Sequence, residues 1–486
     1  MPSEEAKLLA ESRRGMVIAP AGCGKTFLLA EAVAISSGRQ LVLTHTHAGV
    51  RAIRTHLEQR AVPTAKYRVT TIDGFALRYA SAYPALSQLS TRTPSSNEEW
   101  IQLRDSACRV LERMSIKRVV SASYEGVFVD EYQDCSTSQH RLVLHLADSI
   151  PVRIVGDPLQ AIFSILDRRT ACPWKDVLAS YPKLGELRTP HRWNGRNDSL
   201  GSWLLDVREK LIAGQPIDLK ESPVDWKKAT EPKDRVRVNA CFSVRRDQGH
   251  SIIALRKWRP QCHQHARNLN GLCRAMETVE CDELLAWCDT LESANGVKRV
   301  IQLLKFAELC ISRLPATVKK LGVQLDKGAA PKPRREDYLK VVHAATAIEA
   351  SDDLLCVIQM MDAIELLNES LVFARQELWR AMKKTLREHR IAPAPVPSIR
   401  QTAWSLRNRL RYVGRKMDRG SLATPLLVKG LEFDHAVVLD ADEHSEAESL
   451  YVAITRGSRS LTLVSESPIL QRPLPAYLSE PTEPVV

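Results

Sequence analysis

The sequence predicts an α/β protein with two parallel sheets, each interrupted by a helical insertion, and three observations lead to this prediction. Short apolar runs alternate with helical patterns near the N-terminus, namely MVIA (16–19), LVLT (41–44), VFVD (127–130) and VRIV (152–155). A second group of such runs follows much later, namely SIIAL (251–255), HAVVLD (435–440) and LTLV (461–464). A long helical block, about 276–415, separates the two groups. Short apolar strands that alternate with helices are typical of parallel sheets covered on both faces.

The length of 486 residues and a hydrophobic content of 44% indicate a globular protein of about two to four domains. No apolar run approaches the ~18 residues of a membrane span, and the start, MPSEEAKLLAESRRG, is not a signal peptide. We therefore expect a cytoplasmic protein with no membrane partner. The 11 cysteines lack regular spacing, which favours reduced thiols. Five of them are interpreted as buried thiols, with a metal site as the alternative: Cys241, Cys262, Cys273, Cys281 and Cys288.

The charge balance points to a polyanionic partner. The formal net charge is +12, and a surface of this kind attracts nucleic acid first. The segment 400–420 carries seven Arg or Lys residues and one Asp, with Trp404 and Tyr412 between them. Two interpretations of this segment stay open, a helix that follows phosphates and an ordinary solvated helix face.

The segment APAGCGKT joins the run MVIA to the helical pattern FLLAEAVAI and has the composition of a phosphate-binding loop. Its two glycines let backbone N–H groups turn toward phosphate oxygens, and the start of the next helix favours negative charge. Lys25 is expected to reach the β- and γ-phosphates of ATP, and the Thr26 hydroxyl to ligate Mg²⁺. Ala19 stands where the strict GxxxxGK pattern has glycine. The predicted nucleotide-binding residues of the loop are Ala19, Gly22, Cys23, Gly24, Lys25 and Thr26.

A second apolar run, VFVDEYQDC (127–135), ends in two acidic residues. Asp130 stands at the predicted strand tip, where a carboxylate is placed to hold Mg²⁺ through water. Glu131 follows it and is expected to orient and deprotonate an attacking water. The alternative is an ordinary strand-end loop with two acids, and the phosphate-binding loop nearby makes that alternative weak.

The chain resembles the UvrD/Rep family of superfamily 1 DNA helicases. Eight motifs are similar to those of the family and carry the resemblance from residue 16 to about 465: APAGCGKT (19–26), LTHTHAGVRAIR (43–54), TIDGF (71–75), VDEYQD (129–134), GDPLQAIF (156–163), LRTPHRWN (187–194), VKGLEFDHAVVLD (428–440) and YVAITRGSRSLTLV (451–464). Within the helical insertions the resemblance is weak.

This resemblance implies a P-loop NTPase fold with two RecA-like domains and ATP in the cleft between them. Each domain would be discontinuous in sequence because a helical insertion interrupts it. The implied boundaries are 1–83 with 125–184 for the first domain, 84–124 for its short insertion, 185–275 with 420–475 for the second domain, 276–419 for the second insertion and 476–486 for a tail.

The resemblance also implies roles for single residues. Gln160 would sense the γ-phosphate and the attacking water. Arg192 and Arg456 would be arginine fingers, which matter because charge grows on the phosphoryl oxygens in the transition state. His191 would stack on the base, and Glu432 would lie at the ribose. Together with Glu131, the predicted catalytic residues are Gln160, Arg192 and Arg456.

Five side chains would contact DNA by the same resemblance: His45, Thr46, Thr71, Asp73 and Phe163. Several positions depart from the family's pattern, which has a glutamine before the phosphate loop, a tyrosine at 191, a phenylalanine at 45, a histidine at 73, a tryptophan at 165 and polar residues at 425 and 426. This chain has Glu4 or Glu5, His191, His45, Asp73, Ile165, Pro425 and Leu426 there. Stacking of a base on an aromatic ring contributes about 1–3 kcal/mol, so a relaxed choice of base and a weaker grip on DNA are expected.

The leading hypothesis is an ATP-dependent translocase or helicase that acts on single-stranded or tailed DNA, with 3′→5′ polarity taken from the resemblance. The alternative is a regulatory, DNA-sensing ATPase subunit of a nuclease complex with little unwinding activity. The chain ends soon after LTLV, so any nuclease is expected to be a separate protein. Its compact size is similar to the helicase-like subunit of Gabija-type antiphage defence systems, which works beside a nuclease of the overcoming-lysogenization-defect family. A third hypothesis, a binding protein without enzymatic activity, conflicts with the intact hydrolytic residues.

Overall fold

The structure is a computed structural model that describes residues 2–89, 91, 94, 97–163, 171–231, 233–244, 249–277, 281–329, 335–367, 371–413 and 419–478. It includes the side chains of these residues except at 233 and 408–413. Ile165, at one of the positions that depart from the family's pattern, lies outside the described residues, as does most of the predicted tail.

The first sheet contains six strands: β1 (Arg14–Ile18), β2 (Gln40–Thr44), β3 (Tyr67–Thr71), β4 (Gly126–Val129), β5 (Val152–Gly156) and β6 (Lys183–Glu186). Their order is β3-β2-β4-β5-β1-β6, and every neighbouring pair is parallel. The four early apolar runs all form strands of this sheet. Alternate residues pack on opposite faces, Val17 and Val155 on one and Met16 and Ile154 on the other. Because both faces are covered, the central strands β1, β2, β4 and β5 are mostly apolar, whereas the edge strands β3 and β6 carry more polar residues.

Helices cover the two faces of this sheet. One face packs against α1 (Glu4–Glu11), α2 (Lys25–Ile35) and α3 (His47–Gln59). The opposite face packs against α4 (Ile72–Ala82), α5 (Pro84–Ser87), α6 (Asn97–Leu111), α7 (Met114–Ser123), α8 (Thr137–Ala147) and α9 (Trp174–Ser180). Helices α5 to α7 occupy the stretch that the sequence predicts as a short helical insertion.

The remaining strands are β7 (Ile217–Asp218), β8 (Asp225–Lys228), β9 (Ile252–Leu255), β10 (Arg274–Ala275), β11 (Gly420–Ala423), β12 (Phe433–Val438), β13 (Gly457–Ser465) and β14 (Ile469–Leu470). The second sheet has the order β10-β11-β9-β12-β13-β8, and a separate antiparallel pair joins β7 to β14. Its pairs β10–β11, β11–β9, β9–β12 and β13–β8 are parallel. The three later apolar runs all contribute to it, so the prediction of an α/β fold with two parallel sheets is confirmed.

The chain divides into two compact units. The first comprises Met1–Lys228 and Ala441–Val486, and the second comprises Ala229–Asp440. The first unit also contains α10 (Asp198–Ile212) and α20 (Ala447–Ile454). The helices of the second unit are α11 (Lys233–Ser243), α12 (Arg259–Asn268), α13 (Asp282–Ser293), α14 (Gly296–Cys310), α15 (Ala316–Asp326), α16 (Glu336–Ala350), α17 (Leu354–Glu365), α18 (Gln376–Arg390) and α19 (Ile399–Val413).

Helices α13 to α19 form a bundle with its own apolar core. Trp379 lies at its centre, stacked on Phe306 with ring centroids 5.8 Å apart, and its indole N–H donates to Glu365 over 2.7 Å. The basic segment from residue 400 forms part of this bundle, because Ile399 and Ala403 on α19 lie in the core. Two of its arginines are paired there, Arg400 with Asp289 (2.5 Å) and Arg407 with Glu377 (3.6 Å).

The five cysteines between 241 and 288 are buried free thiols. Within the described ranges, no three His, Cys, Asp or Glu side chains come together in a way that could hold a metal ion. No helix in the described part of the chain is both long enough and apolar enough to cross a bilayer.

We predict that Trp379→Ala lowers the free energy of unfolding of the second unit by about 3–5 kcal/mol, because it removes a large buried ring and leaves a cavity. Urea unfolding followed by circular dichroism measures this loss. Ile391→Ala is the control, since Ile391 is 78% exposed, and its effect should stay within about 0.5 kcal/mol. Equal losses in the two variants would contradict the central position of Trp379.

Candidate functional site

The predicted phosphate loop connects the carboxyl end of β1 to the start of α2. Ala19 continues the sheet, since its N–H donates to the carbonyl of Gly156 (2.9 Å). Gly22 and Gly24 have φ angles of +73° and +87°, in the left-handed region that glycine adopts most easily. Gly24 caps α2 without a side-chain hydrogen bond, so the first N–H groups of the helix point toward a possible anion.

Two segments far along the chain hold this loop. The Tyr451 hydroxyl of α20 accepts a hydrogen bond from the Ala21 N–H (3.2 Å), and the Arg192 N–H donates to the Gly22 carbonyl (3.1 Å). Trp193 packs directly on Gly22, because a Cβ at that glycine would lie 2.4 Å from the indole ring. The indole N–H of Trp193 in turn donates to the carbonyl of Gly457 (2.8 Å). The loop is therefore shaped by tertiary contacts as well as by its own glycines.

The two predicted acids follow β4, one strand removed from β1 in the sheet. Asp130 is 4% exposed, and burial raises the pKa of its carboxyl to about 7, with the charge of Glu131 adding to this effect and Lys25 opposing it. Glu131 has a left-handed backbone (φ +54°), and its N–H donates to the Asp130 carboxylate (2.9 Å). This strained turn directs the two carboxylates of neighbouring residues toward the same site.

Lys25 forms an ion pair with Glu131, with Nζ and Oε2 2.5 Å apart. The pKa of Lys25 is raised, because the carboxylates of Glu131 and Asp130 outweigh burial, which alone would lower it. The structure thus brings the predicted phosphate-binding lysine and the predicted catalytic glutamate into direct contact.

Gln160 lies in the loop after β5, the strand between β4 and β1 in the sheet. Its side chain is 7% exposed, and its amide N–H donates to the Asp157 carboxylate (2.7 Å). Asp157 is fully buried; it also accepts from the Leu159 N–H (3.2 Å) and pairs with Arg208 on α10 (3.3 Å). Asp157 therefore shapes this turn and fixes the Gln160 amide.

A residue that the sequence interpretation missed connects the two loops. The Gln133 amide donates to the Glu131 carboxylate, and its oxygen accepts from the Asp157 N–H (3.0 Å). The only signal in the sequence was its place inside the motif VDEYQD, which does not tell what an amide there would contact.

The two predicted arginine fingers meet at Thr455, within the first unit. Arg192 donates to the Thr455 carbonyl (2.5 Å) and lies over the Trp193 ring. Arg456 is 1% exposed and donates to the Thr455 hydroxyl (2.9 Å) and to the Val452 carbonyl (2.8 Å). Both guanidinium groups are thus held at the C-terminal end of α20, whose Tyr451 contacts the phosphate loop.

A cavity of about 170 Å³ opens beside the loop and shares Cys23 and Gly24 with it. His191, the predicted base-stacking residue, lines the cavity, and so does Phe27, which sequence reasoning did not single out. The Arg60 guanidinium covers one face of the Phe27 ring at 4.0 Å. Two carboxylates also line the cavity; Glu31 is engaged by the Ser3 hydroxyl (2.6 Å), and Glu5 is the other.

The predicted DNA-contacting residues lie on the same edge but mostly have partners within the chain. Thr46 and Thr71 accept hydrogen bonds from the Gly49 and Gly74 N–H groups and so cap α3 and α4. Asp73 forms two hydrogen bonds with the Arg104 guanidinium (2.7 and 2.9 Å) and accepts a third from the Gln139 side chain (3.2 Å). The His45 ring lies 3.5 Å from the Cys135 sulfur. The Phe163 ring is 46% exposed.

Three predicted positions belong to the second unit. Glu432 is exposed just before β12, Pro425 is buried in a short turn, and Leu426 is half-buried. The ribose role of Glu432 stays a prediction.

We predict that Gly22→Ala weakens nucleotide binding by about tenfold or more, because the added methyl group overlaps the Trp193 ring and displaces the loop. Titration with a fluorescent ATP analogue measures the dissociation constant. Gly195→Ala is the matched control: Gly195 has a similar φ (+68°), but no atom lies within 4 Å of its added Cβ. If both variants lose affinity equally, backbone conformation rather than contact with Trp193 determines the loop's shape.

Comparisons with known proteins agree with the position of this site. Residues 3–165 match a family described as an AAA domain, and this range includes the phosphate loop, both strand-end acids and Gln160. No curated protein matches the chain.

Among solved structures, the chain is similar to Arterivirus nonstructural protein 10, a helicase determined with and without DNA. The DNA complex is 17% identical over 52% of this chain and 49% of that one, with a TM-score of 0.26; the free form gives the same identity and score over 52% and 48%. Pif1 helicase from Bacteroides, in complex with ADP-AlF3 and ssDNA, is 11% identical over 55% of this chain and 56% of that one, with a TM-score of 0.29. The chain thus spans about half the length of the solved structures that it matches.

Proposed function

We propose that this protein is an ATP-driven motor of the UvrD/Rep type that couples ATP hydrolysis to 3′→5′ movement along single-stranded or tailed DNA, or to its unwinding. One observation carries the proposal: a phosphate-binding loop and a strand-end pair of acids meet at the carboxyl edge of one parallel sheet, with Lys25 2.5 Å from Glu131. The family match over residues 3–165 supports the nucleotide-binding part of this proposal. The polarity and the UvrD/Rep type derive from the motif resemblance.

The donors near the loop fit Mg²⁺, which ligates oxygen atoms. Asp130 offers a carboxylate, and Thr26 offers a hydroxyl that makes no hydrogen bond within the described part of the chain. When bound, Mg²⁺ supplies positive charge that offsets the charge of the phosphate oxygens. A cation beside Asp130 would also favour its ionised form, which burial and Glu131 disfavour.

Hydrolysis in this arrangement requires Lys25 to change partner. Lys25 would leave Glu131 and bind the β- and γ-phosphates, which frees a Glu131 oxygen to accept a proton from the attacking water. Gln160, held by Asp157, would orient that water. Arg192 and Arg456 would leave Thr455 and neutralise charge that grows on the transferring phosphoryl group.

The cavity beside the loop is the proposed nucleoside site. Because it shares Cys23 and Gly24 with the phosphate loop, a nucleotide whose phosphates bind the loop would extend its base into it. His191 and the uncovered face of Phe27 would stack on that base. The Glu5 carboxylate lines this cavity, and Glu4 or Glu5 stands near the position where the UvrD/Rep family has a glutamine; a carboxylate can only accept hydrogen bonds.

A regulatory ATPase that senses DNA and acts with a separate nuclease, as in Gabija-type antiphage defence, is the second candidate. The contacts of Asp73, Thr46 and Thr71 favour it, since these side chains serve the fold itself and leave fewer groups for DNA. A weak grip on DNA suits a sensor better than a processive motor.

We predict that Lys25→Ala lowers ATP turnover by about 100-fold or more, because the variant loses the positive charge at the phosphates. Phosphate release measured at saturating ATP tests this. Lys175→Ala, at an exposed position on α9, is the control and should keep wild-type turnover. Near-normal hydrolysis by Lys25→Ala would refute the assignment of the site.

We predict that Phe163→Ala raises, by about tenfold, the concentration of single-stranded DNA that gives half-maximal stimulation of ATP turnover, because a stacking ring is lost. Phe242→Ala, which removes a similarly exposed ring (51%) from the second unit, is the control. Wild-type turnover that ignores DNA but rises with a partner nuclease would favour the second candidate.

A further inference from the structure

The Gln133 side chain joins two loops of the first unit that end neighbouring strands. Gln133 is 6% exposed and follows β4, whereas Asp157 follows β5. The Gln133 oxygen accepts from the Asp157 N–H over 3.0 Å, and its nitrogen donates to the Glu131 carboxylate. The loops are also close in their backbones, since a Cβ at Gly156 would lie 3.3 Å from the backbone nitrogens of Tyr132 and Gln133.

The orientation of this amide follows from its partners. A backbone N–H can only donate, so the group facing Asp157 N must be the amide oxygen. The amide nitrogen therefore faces Glu131 and offers it a hydrogen-bond donor. Because the side chain is buried between the two loops, water does not compete freely for either bond.

The importance of this bond increases once a nucleotide is present, a step that rests on the proposed function. In the structure Glu131 is held by Lys25 as well as by Gln133. Bound phosphates would compete with Glu131 for the Lys25 ammonium, so the ion pair with Glu131 would weaken when phosphates bind. Gln133 has no such competing task and keeps its donor on the carboxylate.

We infer that Gln133 is a positioning residue. It holds the Glu131 carboxylate in the orientation needed to deprotonate the attacking water, and it couples this carboxylate to the loop that carries Gln160. The coupling passes through Asp157, whose N–H binds the Gln133 oxygen and whose carboxylate binds the Gln160 amide over 2.7 Å. A shift of Gln160 on sensing the γ-phosphate thus reaches Glu131 through one buried amide and one buried acid.

Gln133→Glu separates this role from simple packing. The substituted side chain has the same shape and can still accept from the Asp157 N–H, but it presents an acceptor instead of a donor to Glu131. We expect ATP turnover at saturation to fall about tenfold or more, as misplacement of a catalytic group does, while the ATP dissociation constant changes less than about threefold. A purely structural role predicts unchanged turnover at a normal melting temperature, and that result would overturn the inference.

Gln139→Glu is the matched control. Gln139 is also a buried amide whose oxygen accepts a backbone N–H (Ser136, 3.0 Å) and whose nitrogen donates to a carboxylate (Asp73, 3.2 Å). Its partners lie away from the phosphate loop, so DNA-free turnover should stay at the wild-type value. If Gln133→Glu melts below the assay temperature, Gln133→Ala replaces it with the same expectation for turnover and affinity.

A double variant tests the coupling. If Gln133 and Gln160 act through one network, Gln133→Glu combined with Gln160→Ala should lose clearly less turnover than the product of the single losses. Losses that multiply would overturn the coupling.

Failure of the proposed function gives a different result. The wild-type protein would then hydrolyse no ATP, or Lys25→Ala would hydrolyse it equally well, and the inference would be refuted together with the proposed function. Lys25-dependent turnover that Gln133→Glu leaves intact refutes the inference alone.

Discussion

The parallel pairing of β4, β5 and β1 is the constraint on which the site depends. Ile18 of β1 is in register with Gly156 of β5, and Val129 of β4 with Ile154 of β5. Parallel strands end at a common edge and lie about 4.8 Å apart, so the segments after them are forced together. The lysine after β1 and the acids after β4 meet for this reason, and the loop that carries the glutamine follows the strand between them. With β5 in the middle, its loop touches the loops on both sides.

At the carboxyl edge of the first sheet, the carboxylates of Asp130 and Glu131 outnumber the one lysine that lies beside them. The two carboxylates are neighbours, and burial together with the charge of Glu131 raises the pKa of Asp130. Two arginines nearby are turned to Thr455 instead. Binding of phosphates would draw the lysine away from the acids, and the acids would then need another cation. Exchange of partners among the same few groups is thus the chemistry that this arrangement favours.

The parts of the site that depend on local backbone chemistry were predictable from the sequence. Two motifs consist entirely of residues that are adjacent in the sequence. One is the strand followed by glycines and Lys25, and the other is the apolar strand followed by Asp130 and Glu131. In the structure both form turns at the ends of strands. The alternation of apolar runs similarly predicted two parallel sheets. Side-chain partners across the fold were not predictable, because no local pattern tells that Asp73 pairs with Arg104 or that Phe27 lines a cavity. Gln133 belongs to this second class, since its two bonds join segments brought together only by sheet order.

The contact between Ala21 and Tyr451 has a consequence for biosynthesis. It joins residues 430 positions apart, and the neighbouring bond from Trp193 to Gly457 spans 264. Loops closed over such separations form late, because the chain entropy lost in closing them is recovered only when the distant segment arrives. The ribosome therefore has to synthesise the chain at least as far as Tyr451 and Gly457 before the phosphate loop can acquire its final surroundings. Until then, the emerging polypeptide carries a glycine-rich loop without the contact from Tyr451 and with a Trp193 indole that lacks its Gly457 partner.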